Sequence, residues 1–139
     1  MKKLIILTII SSFLLLPFTS CKKSKESKII GTWKEEPLNN VDSATVTNYW
    51  TFDSGTKLTV DVRRIDTSYT VTATYNITSK NIGLSGYLVI IEDLMIGNVD
   101  YSGKWKIYKL KNDKMQLHRE SFINGDREGA FLWKDFTKE

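Results

Sequence analysis

The sequence predicts an all-β fold, an antiparallel up-and-down meander of about eight short strands. Three observations predict it. From Ile29 to the end, apolar and polar residues alternate with a period of two and almost no helical periodicity. Turn residues interrupt that alternation about every ten residues, as in antiparallel all-β domains. Both prolines, Pro17 and Pro37, fall outside the predicted strands, as their missing amide hydrogen requires.

The elements follow in order. Lys28 to Glu35 reads as a first strand carrying Trp33. Ala44 to Phe52 places Val46, Trp50 and Phe52 on one face, and Asp53-Ser54-Gly55 supplies a tight turn. Lys57 to Ile65 alternates Leu58, Val60 and Val62 against Thr59, Asp61 and Arg63. The cleanest period-two stretch sets Tyr69, Val71, Ala73, Tyr75 and Ile77 against threonines and Asn76. Leu88-Val89-Ile90-Ile91 is continuous rather than alternating, which suits a strand covered on both faces. Asp93 to Asn98 reads as a loop or short helical turn around Leu94-Met95-Ile96. Lys104 to Leu110, Lys114 to Ser121 and Gly129 to Phe136 complete the set, with Asn112-Asp113 and Asn124-Gly125-Asp126 as hairpin turns. Such strands close as a barrel or pack as a sandwich, and the sequential turns favour a meander. An eight-stranded barrel is just wide enough to be filled by side chains or to hold one small ligand.

The front of the chain stands apart. Lys2 and Lys3 precede an apolar run from Leu4 to Leu16, the charged start and apolar middle of a secretory signal. Phe18-Thr19-Ser20-Cys21 resembles a lipobox, which implies cleavage before Cys21 and lipid on that cysteine. An uncleaved anchor, or a cut elsewhere that leaves a free thiol, are the alternatives. The apolar run is short beside the roughly 20 residues that span a bilayer. Cys21 is the only cysteine of the 139 residues, so lipidation also accounts for an otherwise unpaired thiol in an exported protein. The expected organisation is a leader at 1–20, a lipidated basic tether at 21–28 and one domain at 29–139. Lys22 after the cysteine leans toward the outer membrane, facing the periplasm, and the membrane is the first expected partner.

The net charge of +4 belongs to the front. From Ile29 onward 14 Lys plus Arg meet 15 Asp plus Glu, so the domain is not basic and nucleic acid is not an expected partner. The tether lysines sit where anionic headgroups would attract them by about 1 kcal/mol each, or are merely solvated.

Gly31-Thr32-Trp33 at the first strand is similar to the opening Gly-x-Trp of lipocalins. Phe52-Asp53-Ser54-Gly55-Thr56, the Tyr69 to Tyr75 strand, Trp105-Lys106-Ile107 before Asn112-Asp113, and Phe131-Leu132-Trp133-Lys134 follow in the order found in small lipocalin-like domains of bacterial envelope lipoproteins. The resemblance spans most of Ile29 to Lys138 and implies a closed, lipocalin-like β-barrel that binds a small, mostly apolar molecule. Asp100-Tyr101 matches only part of the second lipocalin motif, and no helix follows the last strand. The basic residue expected over the first-strand Trp is Arg119, Arg127 or Lys134.

The predicted barrel interior is apolar and aromatic, with Trp50, Phe52, Val62, Tyr69, Tyr75, Trp105, Leu117, Arg119 and Trp133 as candidate ligand-binding residues. A solid core is the alternative. Arg119 alternates with Met115 and Leu117, which suits either a ligand carboxylate or an aromatic at a barrel end. Leu94-Met95-Ile96 is a lid, a contact surface, or simply buried. Asp42-Ser43-Ala44 resembles a short acceptor for periplasmic O-glycosylation. Catalysis finds little support: His118 is the only histidine, Cys21 is committed to lipid, and Glu92, Asp93 and Asp100 read as paired carboxylates or a solvated loop. No Gly-rich phosphate loop, calcium loop or serine elbow is present. The expectation is a membrane-anchored binding protein for a small hydrophobic molecule, without cofactor, metal or catalysis. The alternative is a β-barrel interaction module, an inhibitor or accessory subunit that contacts an envelope protein.

Overall fold

A computed structural model describes residues 26–37, 46–79 and 86–139. The leader, Cys21, Lys22 and the Asp42-Ser43-Ala44 site lie outside the described residues. Ten strands are present: β1 (Gly31–Glu36), β2 (Val46–Phe52), β3 (Lys57–Arg64), β4 (Ser68–Ser79), β5 (Tyr87–Glu92), β6 (Met95–Ile96), β7 (Val99–Asp100), β8 (Gly103–Leu110), β9 (Lys114–Ser121) and β10 (Leu132–Lys138). Eight of them close a barrel in the order β1-β10-β9-β8-β5-β4-β3-β2, and β6 and β7 form a separate hairpin. Every adjacent pair in the barrel is antiparallel, so the predicted meander is the observed topology. Closure brings Trp33 of β1 opposite Lys138 of β10 and leaves no free edge among the eight.

Alternation decides which side chains go inside. On β3, Leu58, Val60 and Val62 are buried, while Thr59 and Asp61 face out. On β9, Met115, Leu117, Arg119 and Ser121 face in, and Gln116, His118 and Glu120 face out. The continuous run on β5 obeys the same rule: Val89 and Ile91 are fully buried, whereas Leu88 and Ile90 remain half-exposed on the outer surface. That strand is therefore covered on one face only.

Three segments differ from the sequence reading. One is the last strand, expected at Gly129 to Phe136 and found at Leu132–Lys138, because Gly129 at φ 68° still belongs to the preceding turn. Residues 26–29 form a helical turn, and the first strand begins only at Gly31. Gly31 has φ +123°, and an added Cβ would lie 2.9 Å from Lys138 Cε, so the chain bends there and tucks Ile29 into the core. The Leu94 to Ile96 segment is not a helical turn. Gly97 at φ 61° reverses the chain between β6 and β7, and Asp93 at φ 61° aims the hairpin back over the barrel.

The barrel has two unlike ends. At one, the helical turn meets the β2–β3 turn and the β8–β9 turn. The Trp33 indole donates to Ile29 O at 2.7 Å, Lys138 Nζ stands 4.9 Å over the Trp33 ring, and the same ammonium donates to Ile30 O at 3.0 Å. The cation over the first-strand Trp is thus Lys138, not Arg119, Arg127 or Lys134. Tyr75 donates its hydroxyl to Asp53 O at 2.5 Å and packs edge-on against Phe52. This end is closed. The other end, the mouth, carries the connections at 65–67, 93–102 and 122–131.

Candidate functional site

The barrel interior is filled across its middle. Trp50 on β2 and Trp105 on β8 come from opposite sides of the eight-stranded ring, yet their rings meet edge-to-face at 6.4 Å. The Trp50 ring also meets Phe136 at 5.4 Å and Tyr101 at 6.3 Å, both T-shaped, an arrangement worth about 0.5–1.5 kcal/mol per pair beyond the area buried. Trp33, Trp50, Trp105, Leu58, Val60, Ile91 and Leu117 are all fully buried. Shallow clefts lie on the surface instead, one of about 200 Å³ beside Tyr75 and Ile30 at the closed end and one of about 390 Å³ at the mouth between Val46, Arg64, Ile65, Asp66 and Thr67.

Above the aromatic layer the interior becomes polar. Glu35 follows Trp33 by two residues on β1, and Lys134 precedes Phe136 by two on β10, so both point inward. They form an ion pair with side chains only 12% and 10% exposed. The other oxygen of Glu35 accepts from the Trp50 indole at 3.0 Å and from Asn48 Nδ2 at 3.1 Å. Asn48, Val62 and Tyr69 stand in register on β2, β3 and β4. Among the described residues, Asn48 Oδ1 and the Tyr69 hydroxyl are buried without a hydrogen-bond partner. Each such atom costs about 1–3 kcal/mol when nothing satisfies it.

Arg119 holds the mouth connections together. Its Nε donates to Ala130 O at 2.7 Å, and one terminal nitrogen donates to Asp100 O at 2.6 Å and Ser102 O at 3.2 Å. The guanidinium stacks over Phe122 at 4.5 Å and Trp105 at 5.6 Å. Burial pulls its pKa down, and Asp100 and Tyr101 partly counter that. With three carbonyls accepting from it, the group is a clasp between the 93–102 and 122–131 connections. Leu94 is fully buried and Ile96 nearly so, whereas Met95 and Val99 on the same hairpin are about half exposed.

The eight large apolar side chains that stay exposed among the described residues are unevenly placed. Val46, Ile65, Met95, Val99 and Ile123 surround the mouth, whereas Tyr108, Trp133 and Phe131, which stacks on His118 at 5.7 Å, lie on the barrel wall. Ile65 is the extreme, 73% exposed at the tip of the β3–β4 turn.

Of the residues proposed to line a pocket, Trp50, Phe52, Val62, Tyr75, Trp105, Leu117 and Arg119 are buried, and Tyr69 packs partly buried against the same core. The structure brings them together as packing rather than as cavity lining. Trp133 does not join them. It is 39% exposed on the outer wall, stacked face to face on His118 at 4.2 Å, because β10 sends Leu132, Lys134 and Phe136 inward. The sequence reading placed an aromatic inside where the chain places a lysine, and it missed Glu35 and Asn48 altogether. The alternation of Lys134 with Phe136 and of Glu35 with Trp33 was the available signal.

Glu92, Asp93 and Asp100 are exposed at the mouth. Among the described residues no group of three or more His, Cys, Asp or Glu is placed to hold a metal ion. Searches with family models, among curated proteins and among solved structures find no match to this chain.

Proposed function

We propose that this chain is a lipid-anchored, lipocalin-like module of the bacterial envelope that engages a partner protein through the apolar rim of its mouth. One observation carries the reading: five of the eight exposed large apolar side chains among the described residues ring the mouth, above an interior already filled by Trp50 and Trp105. Exposed apolar clusters of this kind mark contact surfaces. Residues 26–30, which follow Cys21 in the sequence, lie at the closed end, so the rim is at the opposite end of the barrel from them. The closed meander and the Trp33 indole held beneath Lys138 support the lipocalin-like assignment. Lys22 after Cys21 supports an outer-membrane site facing the periplasm. The rim needs neither cofactor nor catalysis to bind.

The test is site-specific photocrosslinking in the native envelope, with the crosslinker placed at Ile65, at Met95 and, as a control on the outer wall, at Asp61. One discrete protein adduct from both rim positions and none from Asp61 supports the reading. Equal or absent adducts at all three overturn it.

A second reading has its own observation. Asn48 Oδ1 and the Tyr69 hydroxyl face the interior beneath the Arg64 and Ile65 cleft, where a small molecule with one donor and one acceptor on an apolar body would satisfy both. Native mass spectrometry of the processed chain from its own envelope decides it. A discrete adduct lost on Tyr69→Phe supports this reading, and a bare mass sinks it.

A further inference from the structure

The barrel's charge is as unevenly placed as its exposed apolar groups. From Lys104 to Lys114 there are five lysines and one acid, Asp113, so this stretch carries +4 while the rest of the domain after Ile29 carries −5. The stretch is β8 and the turn that follows it. Lys104 and Lys106 alternate outward against buried Gly103 and Trp105, and Lys109, Lys111 and Lys114 are exposed where β8 turns into β9. On the same wall Lys106, His118 and Trp133 form one cross-strand row, and Glu120 and Asp135 are the acids that flank it on β9 and β10. Tyr108, 53% exposed, leans on Trp133 at 4.8 Å, and the Lys106 ammonium stands 4.7 Å over the Tyr108 ring.

We propose that this wall lies against the anionic surface of the bilayer, with the lysines at the headgroups and Trp133 and Tyr108 at the boundary of the acyl chains. Exposed Trp and Tyr beside Lys is the composition that settles at a membrane interface. The lysine excess of this stretch is complementary to anionic lipid. Position agrees with charge. The Lys138 amide donates to Asp113 O at 2.9 Å and its ammonium to Ile30 O, so the basic turn sits beside the segment that leads to the tether. The five residues from Cys21 to Lys25 reach at most about 18 Å when extended. A barrel held that closely lies on its basic wall and leaves the mouth rim free at the side. The proposal rests on the anchor reading for its geometry, but the wall's own affinity for anionic lipid can be measured separately.

Fluorescence provides the measurement, because Trp33, Trp50 and Trp105 are fully buried and Trp133 alone among the four tryptophans is open to a quencher. The processed full chain is reconstituted into vesicles of brominated phosphatidylcholine, with and without phosphatidylglycerol, and the mass of its N-terminal peptide is determined in parallel. Quenching that requires phosphatidylglycerol, disappears in Trp133→Phe and weakens as salt is added supports the proposal. Each lysine near such a surface contributes about fivefold to binding, so Lys106→Glu, Lys109→Glu and Lys111→Glu together weaken vesicle binding of the unlipidated chain on the order of a hundredfold. An acylated chain whose quenching is absent, or equal with and without phosphatidylglycerol, overturns it. A peptide without acyl chains overturns the anchor alone, and quenching of the unlipidated protein by the same added vesicles then decides the docking.

Discussion

Glu35 and Lys134, 99 residues apart in the chain, close an ion pair inside the barrel just above the ring of Trp50. The pair joins the first strand to the last, where barrel closure depends on contacts between the two ends of the domain. Its carboxylate also accepts from Trp50 and Asn48, so removing it strands a buried ammonium and two buried donors. Glu35→Ala is expected to cost about 3–5 kcal/mol in urea unfolding, the usual loss when one partner of a buried pair is deleted. Glu35→Gln with Lys134→Met keeps an acceptor for Trp50, removes both charges and is expected to recover most of that loss. A double variant as unstable as the single one would show that the charges themselves hold the barrel shut.

Gly103 is fixed by the clasp beside it. At φ +148° it lets β8 start against β9, and a Cβ there would sit 2.5 Å from Ser121 O and 2.8 Å from Arg119 Cδ. Neither neighbour is free to yield, since Ser121 O is backbone and Arg119 is held by three carbonyls. Gly103→Ala is expected to lose about 2–3 kcal/mol. Hydrogen exchange would show the loss first in 93–102 and 122–131, and uniform loss across the barrel would contradict the clasp.

What the sequence disclosed, and what it hid, divides along physical lines. The number of barrel strands, their antiparallel order and the burial of Trp50, Phe52 and Trp105 followed from the period-two alternation, which survives in the structure because a closed barrel has only an inside and an outside. Residue type misled where the alternation alone was right. Trp133 reads as core by type, yet its parity puts it outside, and Lys134 goes inside because Glu35 is there to receive it. No local pattern on β10 announces a partner on β1. The β6–β7 hairpin was hidden because two-residue strands are too short to show a period. The mouth rim required knowing which connections share an end, which only the closed topology supplies.

Tyr75 gives the closed end a response to alkali. Burial chiefly, then Asp53 and Glu26, raise its pKa above the ordinary value of 10.0. A folded pKa above the unfolded one means that the native state favours the neutral phenol. Its contribution to stability is therefore complete below about pH 10 and declines as pH rises through the raised folded value. Tyr75→Phe removes the hydrogen bond to Asp53 O, a loss of about 1 kcal/mol at neutral pH. The gap between the variant and the parent protein is expected to shrink above pH 10. A constant gap up to the alkaline unfolding limit would mean that the phenol does not titrate with folding.

The rim and the interior are expected to separate stability from binding. Trp50 touches Trp105, Phe136 and Tyr101 and gives its indole hydrogen to Glu35, so Trp50→Ala opens the middle of the barrel at a cost of about 3–5 kcal/mol. Ile65 and Met95 are 73% and 47% exposed, so Ile65→Ser with Met95→Ser should leave urea stability within about 0.5 kcal/mol per site. Loss of the rim adduct in the double variant, read by a crosslinker moved to Val99, is the expected result at unchanged stability. A double variant that unfolds early would place Ile65 and Met95 among the residues that hold the barrel, and the rim would then be packing rather than a surface for a partner.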